Sequence, residues 1–127
     1  MKKHLGNYKI DCKELRDNAM IFSYIDKIIF SFEDYDIDVH QIRDLTFHHN
    51  ENIIIELAIF NPYLYNAFVS ESKINTLTEY GKYLDINGDN EYKYNVSYKN
   101  YKIKSASGSK EDQTWIYVLE PINELIF

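Results

Sequence analysis

Four acids fall within the six residues Glu33-Asp34-Tyr35-Asp36-Ile37-Asp38. Carboxylates at alternate positions open the calcium loop of an EF-hand, so that chemistry is the first to test. Such a loop needs glycine at its sixth position and a bidentate acid at its twelfth. Counted from Asp34, those positions hold Val39 and Leu45, and the pattern fails. Asp85-Ile86-Asn87-Gly88-Asp89 fails in the same way: its glycine comes two residues early and Val96 occupies the last ligand position. Two readings stay open for the first run, a solvated stretch of charge and a docking surface for cations on a partner. The docking reading takes in Glu33, Asp34, Tyr35, Asp36 and Asp38, with Asp44 a short way on.

The other reactive residue types give less. His48 and His49 are adjacent, so on a strand they face opposite ways and do not chelate one ion. His40 with Asp38 or Asp44 has the components of an acid–base pair. No nucleophile or oxyanion donor accompanies it in the sequence, and a solvated surface histidine is the simpler reading. Cys12 falls in the first turn of an expected helix, where the dipole lowers a thiol's pKa, but Asp11 and Glu14 oppose that effect. A single cysteine excludes an internal disulfide and a multi-cysteine zinc site. No serine lies in a G-x-S-x-G context, and four glycines form no phosphate-binding loop. No catalytic residue, cofactor or metal is therefore assigned.

Tyr92, Tyr94, Tyr98 and Tyr101 interleave with Lys93, Lys99, Lys102 and Lys104. Aromatic and basic side chains on one sheet face would stack and neutralise nucleic acid. Strand alternation puts the two types on opposite faces, which leaves the tyrosines as core. Charge agrees: the net charge is −6, and residues 11–60 alone carry eleven acids against four bases. A phosphate-tracking protein shows a basic footprint instead. A basic protein partner, such as a toxin or effector, fits the acidity better.

The elements that hold these residues are dominated by β patterns. Ile53, Ile55, Leu57 and Ile59 alternate with Ile54, Glu56, Ala58 and Phe60, which predicts a strand covered at least partly on both faces. Residues 37–47 predict its hairpin partner, with a bulge at Gln41–Ile42 where the apolar phase slips, and 48–52 predict the turn. Asp11-Cys12-Lys13-Glu14 has the form of a capping box and predicts a helix over 12–26, laid on the sheet by Leu15, Ala19 and Phe22. A strand over 28–32 follows. Asn61-Pro62 predicts a second, short helix over 62–69, while 70–79 reads as either helix or loop. Residues 82–86 predict a strand with a turn after it. Residues 92–105 predict a hairpin turning at Lys99–Asn100, then a polar loop over 105–113, a strand over 114–119 ended by Pro121, and a docked apolar tail.

The sum is one α+β domain over residues 1–127: a mostly antiparallel sheet of about six or seven strands with one N-terminal helix packed on it. Aromatic content of 16% excludes a disordered chain. The basic start has no apolar segment after it and no stretch is long enough to span a bilayer, so a cytoplasmic protein without membrane contact is expected. Exposed strand edges in the Tyr-rich hairpin leave monomer or dimer open. The expected function is non-catalytic: binding and neutralising another protein, as an immunity protein or a phage counter-defence inhibitor does. A small ligand-binding domain or enzyme, with a pocket between the N-terminal helix and the sheet, is the alternative.

Overall fold

The computed structural model describes residues 22–48, 50–84 and 90–122. Seven strands form one antiparallel sheet: β1 Phe22–Ser31, β2 Asp36–Val39, β3 Ile42–Phe47, β4 Ile53–Leu57, β5 Lys73–Leu84, β6 Glu91–Ser109 and β7 Thr114–Pro121, with the helix α1 Pro62–Val69 between β4 and β5. Their order across the sheet is β2-β1-β5-β6-β7-β4-β3. A β5-β6-β7 meander is thus flanked by one hairpin on each side.

Chain length then dictates curvature. The two outermost strands, β2 and β3, are joined by His40 and Gln41 alone. Three Cα steps from Val39 to Ile42 reach about 11 Å at most. A flat seven-stranded sheet would hold its outer strands about 29 Å apart. The sheet must therefore roll, and β1 and β3, far apart in the sheet order, indeed come into contact. Gln41 makes the corner with φ +58°. The inner face carries Ile28 and Phe30, Ile37 and Val39, Leu45, Ile53, Ile55 and Leu57, Ile74 and Leu77, Tyr101 and Ile103, and Tyr117 and Leu119, all buried in one cluster. α1 adds Leu64 and Ala67 to it.

The helix begins as its sequence dictates. The Asn61 side chain accepts a hydrogen bond from the Leu64 amide at 2.9 Å, and Pro62 opens the first turn. It ends where Glu71 adopts φ +55°, with Ser72 N–H donating to the Ala67 carbonyl at 2.9 Å and Glu71 N–H to Phe68 at 3.1 Å. That is the Schellman arrangement, here with glutamate in the position that glycine usually takes.

Several expectations are corrected. Phe22–Asp26, expected in helix, belong to strand β1, which pairs with β5 and β2; the helix the structure describes lies mid-chain. The expected helix over 12–21, with Cys12, lies outside the described residues, as do His49, residues 85–89 and the tail 123–127. The segment 37–47 is not one strand on β4: β2 pairs with β1 and only β3 pairs with β4, the chain breaking at His40–Gln41 and the β3–β4 register shifting just beyond, between Ile42 and Asp44. Residues 73–79 are strand, not helix or loop.

The expected turn at Lys99–Asn100 does not form, because β6 is one strand of 19 residues. Its first part pairs with β5 as far as Lys102, and its second part pairs with β7 from Tyr101 onward. Asn100, at φ +61°, lets the strand change phase there without leaving the sheet. Tyr98 and Tyr101 consequently lie opposite Leu77 and Ile74, not opposite each other. Residues 105–109, expected as loop, continue the strand.

Candidate interaction surface

Glu33, Asp34, Asp36, Asp38 and Asp44 are all exposed. Glu33 and Asp34 occupy the bend between β1 and β2. Tyr35 follows, 49% exposed, its ring stacked on Phe32 at 4.9 Å. Asp36 and Asp38 project from β2 while Ile37 and Val39 between them are buried. Asp44 stands on β3, at the other side of the sheet order, and accepts from the Thr46 hydroxyl at 2.7 Å. His40 is exposed on the two-residue link. Charged side chains on edge strands also hinder edge-to-edge aggregation, so the run has a protective use besides any docking one. Among the described residues no three His, Cys, Asp or Glu side chains converge as a metal site requires, and no helix is long and apolar enough to cross a membrane.

A second surface was not anticipated. Of the seven large hydrophobic side chains that stand exposed among the described residues, five lie between positions 59 and 69: Ile59, Phe60, Tyr63, Tyr65 and Val69. Tyr63 is 69% exposed and Val69 62%. Helix α1 causes this arrangement. Its sequence, Pro-Tyr-Leu-Tyr-Asn-Ala-Phe-Val, is apolar nearly all round, yet only Leu64 and Ala67 are fully buried, with Phe68 packed half-buried beside them. Tyr63 and Tyr65 are left exposed. Contiguous apolar exposure of this kind marks interaction sites on soluble proteins.

The surface has a built floor. Phe60 packs on the indole of Trp115 at 4.8 Å and on Tyr65 at 5.6 Å, and Tyr65 meets Phe68 at 6.0 Å. Trp115 lies across Gly108, its cross-strand partner; a Cβ on Gly108 would run into the indole ring. Tyr65, Ala106, Ser107, Gly108, Trp115 and Tyr117 enclose a pocket of about 190 Å³. Tyr117 is buried, and its hydroxyl donates to the Asn61 carbonyl at 3.4 Å. Burial, and secondly the neighbouring Tyr65, push its phenol up to about 12. It is therefore a neutral anchor for the start of α1.

Two contacts fasten this end of the sheet. Ala58 N–H donates to the Gln41 carbonyl at 3.0 Å, and the Arg43 guanidinium donates to the Thr114 hydroxyl at 3.2 Å. They tie the β2–β3 link and the start of β3 to the segment that carries Phe60 and Trp115. Asp44, one residue past Arg43, is thereby placed toward the same end of the fold. No protein-family model, curated protein or solved structure matches this chain. The functional reading therefore rests on the geometry alone.

One sequence signal did point here. From Leu57 to Ser70 no residue carries a charge, in a chain that is 27% charged. The types within that stretch (leucine, isoleucine, phenylalanine, tyrosine) are those of a core, and only the fold distinguishes those buried from those left outside. His40, assigned to a possible pocket at the sequence level, does not line the one described above.

A second polar feature lies in the interior. Glu79 is fully buried and accepts from the Tyr94 hydroxyl at 2.6 Å. Gly81 makes room for this: it pairs with Tyr94, and the phenol passes over it. Tyr83 and Tyr94 form a small core of their own there, with Tyr92, Val96, Tyr98 and Phe47 against it.

Proposed function

We propose that this chain is a non-catalytic binding protein that occupies and neutralises a basic protein partner. The observation that carries the reading is the uncharged, outward-facing aromatic surface of residues 59–69 on a chain that is otherwise acidic. Interface centres are poor in charge and rich in tyrosine, phenylalanine and tryptophan, and a few such anchors supply most of the affinity. Phe60, Tyr63, Tyr65 and Trp115 would be those anchors. The pocket between Tyr65 and Trp115, at about 190 Å³, is smaller than the roughly 300–1,000 Å³ of small-molecule clefts. It suits a single side chain of a partner better than a free ligand.

The acids take a different part. Glu33, Asp34, Tyr35, Asp36, Asp38 and Asp44 would form the rim and steer a cationic partner, speeding encounter more than they deepen affinity. Replacing Glu33, Asp34, Asp36 and Asp38 by lysine tests this with the partner recovered from the native host. Association slows at least tenfold at low salt, while dissociation changes little; association that is unchanged, and still just as sensitive to salt, removes the acids from the interface.

A further inference from the structure

The alternation that buries tyrosines on one side of the sheet gathers lysines on the other. On β5 the buried positions are Ile74, Leu77, Glu79, Gly81 and Tyr83, and on the first part of β6 they are Tyr94 and Tyr101. The opposite face of these two strands therefore carries Lys73 and Lys82 from β5, and Lys93, Lys99 and Lys102 from β6. They are five of the nine lysines and arginines among the described residues. Lys82 is half-buried and the other four are exposed. Among the described residues, Glu91 is the one acid on that face of β5 and β6.

This arrangement works against the fold. Lys82 stands directly opposite Lys93, and Lys73 directly opposite Lys102, and like charges so placed destabilise a sheet. Glu91, 3.9 Å from Lys82, and Glu120, 3.2 Å from Lys102, offset part of the repulsion, but surface ion pairs contribute little. The chain's net charge of −6 conceals this basic footprint, which appears only once the strands are paired.

We infer that this outer face of β5 and β6 binds the phosphate backbone of a duplex nucleic acid. The two lysine pairs lie nine residues apart along each strand, with Lys99 between them, so the row is about 30 Å long. Over that length a duplex presents one negative charge per about 1.7 Å of axis. Thr76, Thr78, Asn95 and Ser97 stand between the lysines, half-buried on the same face, and hydroxyl and amide groups of this kind donate to phosphate oxygens. Such contacts position a duplex without reading its sequence. Shape favours a linear polymer over a bilayer: the sheet rolls, so its outer face is convex across the strands, and a flat array of headgroups meets few of these lysines at once. Single strands are held on exposed aromatic rings. Among the described residues the one ring on this face of β5 and β6 is Tyr80, half-buried, with the Lys27 ammonium 5.2 Å from its centroid. The inference is independent of the reading of residues 59–69.

Fluorescence anisotropy of a short labelled DNA duplex of mixed sequence, titrated with the full-length chain at several salt concentrations, tests the inference. At about 50 mM salt the dissociation constant is expected on the order of 10⁻⁵ M, and log K should fall against log salt with a slope of about −4, as four or five phosphate contacts require. Lys93→Gln combined with Lys99→Gln changes two exposed positions. This variant should melt at or slightly above the parent's temperature, bind about tenfold more weakly or worse, and bring the slope nearer zero by about 2. Lys110→Gln, beyond the row, should bind as the parent does. No binding at about 10⁻⁴ M chain and low salt, the weak end of non-specific association, overturns the inference. A double variant that keeps the parent's slope does the same. Tighter binding to a single strand of the same sequence, to phosphatidylserine vesicles or to polyglutamate also overturns it, in favour of a single strand, a membrane or an acidic protein respectively.

Discussion

Gly81→Ala is expected to destabilise this protein strongly for a single added methyl. Gly81 pairs with Ile25 on one side and Tyr94 on the other, next to a bulge in β1 at Asp26. An added Cβ would fall well inside contact distance of the Tyr24 carbonyl oxygen and 2.7 Å from the Tyr94 hydroxyl. The first neighbour is backbone and cannot swing aside, so β1 and β5 must part locally; overpacking of this kind costs about 1–3 kcal/mol. The second neighbour is the donor to buried Glu79, and displacing it costs about 1–3 kcal/mol more. Alanine recovers about 0.4–1 kcal/mol by restricting the unfolded chain. The net loss is about 1–6 kcal/mol, a large part of the roughly 5–15 kcal/mol that holds a domain together.

Urea unfolding followed by the fluorescence of Trp115, the chain's single tryptophan, reads this as a fall in midpoint of about 1–2 M. The same substitution in a Tyr94→Phe background costs less, because the hydrogen bond is already gone. A Gly81→Ala midpoint equal to that of the parent, or strict additivity with Tyr94→Phe, would refute the reasoning. Gly108→Ala is the internal comparison. There the obstruction is the Trp115 ring, itself packed on Phe60, so the substitution shifts the fluorescence as well as lowering the midpoint.

Two further outcomes follow from the same geometry. Glu71→Gly is expected to stabilise the protein by about 0.5–1 kcal/mol, since Glu71 holds φ +55° at the end of α1 and glycine adopts that conformation without a Cβ penalty; thermal unfolding of the pair checks it. The phenols of Tyr83, Tyr101 and Tyr117 are all raised, chiefly by burial and secondly by Tyr92, Glu51 and Tyr65 respectively. The folded protein therefore keeps them protonated to higher pH than the unfolded chain does. Their contribution is complete below the usual tyrosine value of 10.0 and is lost as pH rises toward about 12 for Tyr117. Urea midpoints at pH 9, 10 and 11 should fall progressively, and Tyr117→Phe should flatten the decline; a parent midpoint flat across that range contradicts the burial argument.

Much of the sheet was legible because its strands alternate strictly. Ile53, Ile55, Leu57 and Ile59 were read as one face; the first three are fully or almost fully buried, but β4 ends at Leu57 and Ile59 stands exposed. Asn61-Pro62 marked the start of α1 to the residue. The failures lie where one local pattern serves two structures. Phe22 to Asp26 fit a helical stripe and a strand equally well, and the ladder of Phe22–Ile25 to β5 decides between them. Residues 73–79 were obscured because the inner position at 79 is a glutamate, which accepts a hydrogen bond there from a tyrosine fifteen residues on. The phase slips at Gln41 and Asn100 were both seen, but positive φ within a continuous chain was read as a bulge in one case and a hairpin turn in the other. The acidic run was visible as a sequence feature. The aromatic surface was not, since residue type alone does not tell which face of α1 meets the core.

The most direct test is the affinity of Tyr63→Ala for the partner recovered from the native host, measured by titration beside a thermal melt. Tyr63 is 69% exposed, so its removal should leave stability within about 0.5 kcal/mol. As an interface anchor it should weaken binding by about 2 kcal/mol, or roughly thirtyfold. Undiminished affinity in a variant that melts like the parent would contradict the assignment of residues 59–69 as the binding surface.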